Sequence, residues 1–211
     1  MLREAPLYAI VDTALRPDLQ PLSITEALLC GGVRVIQYRH KGAFRRKNFD
    51  DCSAIADQVS RAGGLFIVND RADVAALCGA AGVHLGQEDL PPEKARQLLG
   101  LGKIIGHSTH TKEQAAIAGS LPVDYIAIGP VYPTNTKEHP DPVVGVSTVT
   151  EVCSMTTRPL VAIGGITLDN AQAVLQAGAD AVAIASDLVR DSEIEKRVRQ
   201  FLSSKPAGGQ R

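Results

Sequence analysis

The sequence predicts a single-domain α/β fold, a (β/α)8 TIM barrel. Three observations lead there. Eight short apolar runs recur along the 211 residues. Most are continuous rather than alternating, as in parallel strands covered on both faces. Between them lie segments with helical spacing and helical stop signals. Strand–helix alternation with short connections gives right-handed βαβ units in one parallel sheet, and eight such units close a barrel. The runner-up, an open doubly wound sheet, calls for a Gly-x-Gly-x-x-Gly turn after the first strand, and that turn is missing.

The strand-like runs, in order, are LYAIVD (7–12), VRVIQYR (33–39), LFIVND (65–70), GVHLGQ (82–87), KIIGHS (103–108), VDYIAIGP (123–130), PLVAIGG (159–165) and DAVAIAS (180–186). Small-residue pairs, Gly31–Gly32, Gly63–Gly64 and Ala81–Gly82, stand just before strands. Pro91 and Pro92 suit a helix's first turn, and Gly100 suits the stop after KARQLL. Asp169 can cap NAQAVLQA, and Gly178 can end it. The barrel is expected over residues 1–202, and the tail 203–211, SSKPAGGQR, reads as disordered.

Composition narrows the function class. A chain of 211 residues, 45% of them hydrophobic, is large enough to bury roughly 70% of its unfolded surface. A net charge of −1 gives no electrostatic case for nucleic acid or a membrane surface. No run reaches the ~18 apolar residues of a membrane span, and no signal peptide is evident at the start. Cys30, Cys52, Cys78 and Cys153 lack metal or redox spacing and read as buried or half-buried thiols in a reducing compartment. A cytoplasmic protein with small-molecule partners is the expectation.

The runs end on polar groups: Asp12, Gln37 with Arg39, Asn69 with Asp70, Gln87 with Asp89, Ser108, Gly164 with Gly165, and Ser186. In a barrel these ends face one mouth, where active sites sit. Asp70 and Asp89 follow consecutive strands and can reach one ion, and two hard oxygen ligands suit Mg2+. Helix capping is the competing reading for both. Arg39, Lys41 and Lys137 offer a fork and two point charges for phosphate oxygens. Gly164–Gly165 and the Ala185–Ser186 backbone stand where barrels commonly bind a phosphate. His84 reads either as a core histidine or as a barrel-lining one. No zinc spacing and no Gly-x-Ser-x-Gly elbow occurs. The picture is two phosphate sites, and so two substrates being joined.

VIQYRHK, FIVNDR, GVHLGQED, IGHSTH, GPVYPTNTK and VAIGGI, in this order, resemble the thiamine phosphate synthase family from about Leu7 to Arg190. That family joins a pyrimidine methyl diphosphate to a thiazole phosphate, releasing pyrophosphate, with carbon dioxide when the thiazole is carboxylated. The resemblance implies that Gln37, Arg39, Lys41, Asn69 and Lys137 hold the diphosphate substrate and that Asp70 and Asp89 hold Mg2+. It implies Ser108 beside the pyrimidine and pyrophosphate, Thr134 and Thr136 on the thiazole, and Gly165 and the backbone at Ala185–Ser186 on its phosphate. Tyr38, His40 and Asn135, interleaved in the same motifs, join the substrate-binding set, with Arg39, Lys41, Ser108 and Lys137 catalytic. Asp187 would repel a phosphate at Ser186 unless its side chain points away. The rival readings are a thiazole tautomerase, a non-catalytic sensor of thiamine phosphate, and a phosphosugar epimerase whose acid–base pair has no placement here.

Overall fold

The structure, a computed structural model, describes residues 2–134 and 141–203. Eight parallel strands close a barrel in sequence order. They are β1 (Leu7–Asp12), β2 (Val35–Arg39), β3 (Leu65–Asn69), β4 (Gly82–Leu85), β5 (Ile104–Thr109), β6 (Tyr125–Ile128), β7 (Leu160–Ile163) and β8 (Ala181–Ile184). The helices between and after them are α1 (Pro21–Gly31), α2 (Arg46–Arg61), α3 (Ala72–Leu77), α4 (Pro92–Leu99), α5 (Lys112–Ala118), α6 (Gly145–Met155), α7 (Ala171–Gln176) and α8 (Ile194–Ser203). Every expected strand is present. Helix α8 runs into the first residue of the expected tail, and residues 204–211 lie outside the described set. No helix among the described residues is long and apolar enough to cross a membrane.

The pleat divides each strand between two cores. Leu7, Ala9, Val11, Ile36, Val68 and Val83 point outward into the layer beneath the helices. Tyr8, Ile10, Val35, Ile67, Tyr125, Val161, Ala181 and Ala183 point inward and fill the barrel, with Leu2 and Ala5 packed among them. Because successive side chains alternate faces, the inward rows continue to Asp12 on β1, Gln37 and Arg39 on β2, Asn69 on β3, His84 on β4, and Gly106 and Ser108 on β5. Apart from the hydroxyls of Tyr8 and Tyr125, these inward polar groups lie toward the C-terminal ends of their strands.

Three local expectations are corrected. Helix α7 begins after Asn170, whose side chain accepts the Thr167 N–H at 2.8 Å while Asp169 is exposed, so Asp169 is not the cap. Cys30 is exposed rather than buried. The second strand starts at Val35, because Val33 still bonds the Leu28 carbonyl and closes α1 through Gly32 at φ 108°.

Candidate active site

Asp70 and Asp89 meet at the mouth. The Asp70 N–H bonds the His84 carbonyl at 2.8 Å, which extends the β3–β4 ladder by one residue. Asp70 then turns into the left-handed region at φ 62°, a conformation Asp tolerates better than most residues. Asp89 is fixed by the Gly86 N–H, which donates to its Oδ2 at 2.7 Å. Asp89 is held above the usual carboxylate range, first by burial and also by the neighbouring Asp70 carboxylate, against the lowering effect of the Gly86 N–H. Lys41 Nζ lies 2.6 Å from Asp70 Oδ2.

The capping reading fails for both aspartates. Helix α3 is preceded by Arg71 and has no side-chain cap; Arg71 instead pairs with Asp73 and lies 4.8 Å from the Phe44 ring centroid. Helix α4 is preceded by Pro91, and Asp89 closes its own loop instead. A carboxyl pair with one raised member and one flanking ammonium has the chemistry of a hard divalent-cation site. Among the described residues, no group of three or more His, Cys, Asp or Glu side chains gathers as a metal cluster. Two carboxylates fit an ion that takes its other ligands from water or substrate.

Below this pair lies the inward row. Arg39 donates from Nη1 to Asp12 Oδ2, a carboxylate only 2% exposed, and Asp12 also accepts the Ala14 N–H at 2.9 Å. Asp12 and Arg39 are register partners across β1 and β2, so the strand pairing sets this contact. Asn69 Nδ2 is buried with no hydrogen-bond partner among the described residues, a donor that calls for an acceptor from outside. Gln37 Nε2 donates to the Tyr8 hydroxyl at 2.9 Å. Ser108 Oγ lies 2.8 Å from His84 Nε2.

Tyr38 does not belong to this set. It points outward, 1% exposed, and its hydroxyl accepts a bond from Asn48 of α2 at 3.0 Å. The reason is the pleat: neighbours of the inward Gln37 and Arg39 must face the helices. His40 bonds the Thr13 hydroxyl through Nδ1 at 2.8 Å and packs edge-on to Phe44. His84, left open between core and lining, lines the barrel. Tyr8 and Tyr125 are the polar interior residues that motif reading passed over, and strand parity, which also settles the inward facing of Asp12 and His84, is the signal that locates them.

On the opposite side, β7 ends in Gly164 (φ 95°) and Gly165 (φ 64°). A Cβ at Gly165 would lie 2.5 Å from the Pro133 carbonyl oxygen and 2.7 Å from Tyr132 Cβ. These glycines therefore let the loop after β6 pack directly on the end of β7. Ala185 is half-buried and Ser186 exposed just beyond β8. Asp187 points away: its Oδ2 accepts the Leu168 N–H at 2.9 Å and lies 3.0 Å from Arg197 Nη2. Thr134 is half-buried at the end of the described part of the β6–α6 loop. Asn135, Thr136 and Lys137 lie outside the described residues.

Comparison with known proteins adds three findings. Residues 7–188 match the family model described as thiamine monophosphate synthase. Two similar relatives are the thiamine-phosphate synthases of Lawsonia intracellularis, 43% identical with 94% of this chain and 91% of the relative covered, and of Koribacter versatilis, 43% identical with 93% of each covered. Among solved structures, a thiamine phosphate pyrophosphorylase from Pyrococcus furiosus superposes with a TM-score of 0.86 at 32% identity, covering 96% of both chains.

Proposed function

The chain belongs to the thiamine monophosphate synthase family of transferases, and from that premise we propose how its mouth joins a pyrimidine methyl diphosphate to a thiazole phosphate, yielding thiamine phosphate and pyrophosphate. One observation carries the reading. Asp70, Asp89 and Lys41 converge above an inward row of Gln37, Arg39, Asn69 and Ser108. This is a site graded from charged at the rim to hydrogen-bonding within, which suits a diphosphate above a flat heterocycle.

Magnesium fits the Asp70–Asp89 pair, and when bound there it would neutralise the diphosphate oxygens and ease pyrophosphate departure. Arg39, oriented by Asp12, and Lys41 stabilise the same growing charge. Lys137 joins them from the loop after β6. Gln37 and Ser108 orient the pyrimidine, and the orphan amide of Asn69 finds its acceptor on the diphosphate. Thr134, Asn135 and Thr136 approach the thiazole. Its phosphate rests on backbone N–H groups at Gly165 and Ala185–Ser186, a placement that the outward turn of Asp187 supports. The substitution is dissociative: departure of pyrophosphate leaves a pyrimidine-stabilised cation that the thiazole nitrogen captures. The protein then needs no nucleophile, only orientation and charge. That Cys30, Cys52, Cys78 and Cys153 form no disulfide agrees with a cytoplasmic setting.

The test is a product assay. Purified protein with the pyrimidine diphosphate and carboxythiazole phosphate should form thiamine phosphate with magnesium and not with chelator. No product from a folded chain would overturn the reading in favour of a tautomerase or a sensor.

A further inference from the structure

A continuous polar chain crosses the otherwise apolar barrel interior. Gln37 Nε2 donates to the Tyr8 hydroxyl at 2.9 Å, and the Tyr8 and Tyr125 hydroxyls are 2.9 Å apart. Tyr125 lies 2.8 Å from His84 Nδ1, and His84 Nε2 lies 2.8 Å from Ser108 Oγ. Both tyrosines are fully buried among Ile10, Val35, Ile67 and Val161. Their rings meet edge-on at 6.0 Å, and the Tyr125 ring stacks on His84 at 5.6 Å. Room for Tyr125 is bought by Gly106, where a Cβ would lie 2.0 Å from Tyr125 Cζ.

The protons on this chain can be counted. Burial raises both phenols above the ordinary tyrosine range, so each oxygen keeps its hydrogen. An amide nitrogen only donates, so the Tyr8 oxygen is an acceptor from Gln37 and its own hydrogen goes to Tyr125. Tyr125 in turn gives its hydrogen to His84 Nδ1. A nitrogen that accepts carries no proton, so the ring's hydrogen sits on Nε2 and is donated to Ser108. The Ser108 hydroxyl, having accepted from His84, has its own hydrogen left for the mouth, towards which this half-exposed residue faces.

We propose that Gln37, Tyr8, Tyr125 and His84 form a one-way hydrogen-bond relay that fixes His84 as the Nε2–H tautomer and presents Ser108 to the substrate as a donor rather than an acceptor. Tyr8, Tyr125 and His84 are positioning residues. The inference rests on the reading that Gln37 and Ser108 face the pyrimidine diphosphate, and it deepens that reading. A donor aimed at the mouth from beneath suits the oxygen that gains charge as pyrophosphate leaves. The relay also ties the Gln37 amide orientation to Ser108, so that one side of the pocket presents a fixed donor pattern to a heterocycle.

Nitrogen-15 spectroscopy of histidine-labelled protein, without substrate, decides the direction. The His84 resonances, assigned by their loss in His84→Gln, should show a protonated Nε2 and a bare Nδ1. A protonated Nδ1, or a doubly protonated ring, would overturn the relay. Tyr125→Phe removes the donor to Nδ1, and Tyr8→Phe removes the group that commits Tyr125 to donating, so both should let the ring exchange between tautomers. A Tyr8→Phe variant that keeps a fixed Nε2–H would overturn the relay. In the product assay Tyr125→Phe should lower kcat about ten- to a hundredfold with less than about threefold change in KM. A purely structural role would instead lower thermal stability without moving the tautomer. Because the tautomer is read without turnover, failure of the relay and failure of the proposed reaction are separable.

Discussion

Gly106→Ala places one methyl group where the structure has no room. The new Cβ would stand 2.0 Å from Tyr125 Cζ and 2.3 Å from its hydroxyl oxygen, so the ring must move. Overpacking of this kind costs about 1–3 kcal/mol. The displaced hydroxyl also loses its bonds to Tyr8 and His84, about 1 kcal/mol each. Together these make about 3–5 kcal/mol, and a chain of this size loses about 2–4 °C of melting temperature per kcal/mol, so Tm should fall on the order of 10 °C. Differential scanning calorimetry at one scan rate measures it. The same substitution should cost much less in a Tyr125→Leu background, which vacates the ring's position. A fall under about 2 °C for Gly106→Ala, or an equal cost in both backgrounds, would refute the argument that Tyr125 occupies this space.

Further predictions concern charge and protons. Asp70→Asn and Asp89→Asn keep shape and, at position 70, tolerance of positive φ, yet each should abolish the magnesium dependence of turnover; a magnesium titration of rate in either variant that matches the parent would return the carboxylates to a structural role. Ser186→Asp, at an exposed position, should raise the KM for the thiazole phosphate at least about tenfold with kcat largely kept, and an unchanged KM would move the phosphate elsewhere. Asp12→Ala strands the Arg39 charge and should cost about 3–5 kcal/mol in urea denaturation, with Asp12→Ala/Arg39→Ala costing less than the sum of the single changes; additivity would show that the pair does not interact. Burial raises Tyr8 and Tyr125 and pushes Tyr38 up to about 12, so the folded chain holds these phenol protons more tightly than the unfolded one. Their stabilisation is complete below the ordinary tyrosine range and is lost as pH rises through the folded values. Ultraviolet titration should find no more than one of the four tyrosines ionised at pH 11 while the chain is folded; two or more would contradict their burial.

The barrel was legible because continuous apolar runs alternate with helical segments and glycine or proline punctuation along the whole chain, and those are local properties. The polar strand ends were legible for the same reason, and Asp70 with Asp89 needed only the knowledge that consecutive parallel strands end side by side. What the sequence left unresolved was the direction each side chain faces. VIQYR offers Gln37, Tyr38 and Arg39 as equals, since a strand buried on both faces carries no polar alternation to mark the inside. On sequence alone Tyr38 therefore groups with its neighbours, although the pleat turns it to α2. His84 stayed ambiguous because its partners Tyr125 and Ser108 lie 41 and 24 residues away. Asp12 was noted as a strand end, and its pairing with Arg39 became visible only once the β1–β2 register was set. Asp187 was resolved by Arg197, ten residues on in a separate helix.

Closure of the sheet has a consequence for how the chain is made. Strand β1 is complete at Asp12, whereas its second neighbour β8 begins at Ala181. At about 5–20 residues per second, the nascent chain carries an unpaired β1 edge for on the order of ten to thirty seconds. Tyr8 waits as well, for a hydroxyl 117 residues downstream. An open apolar edge of this kind is a template for pairing with another chain and so seeds aggregation. The first strand, which anchors Arg39 and the interior tyrosines in the finished enzyme, is thus the segment most exposed during synthesis.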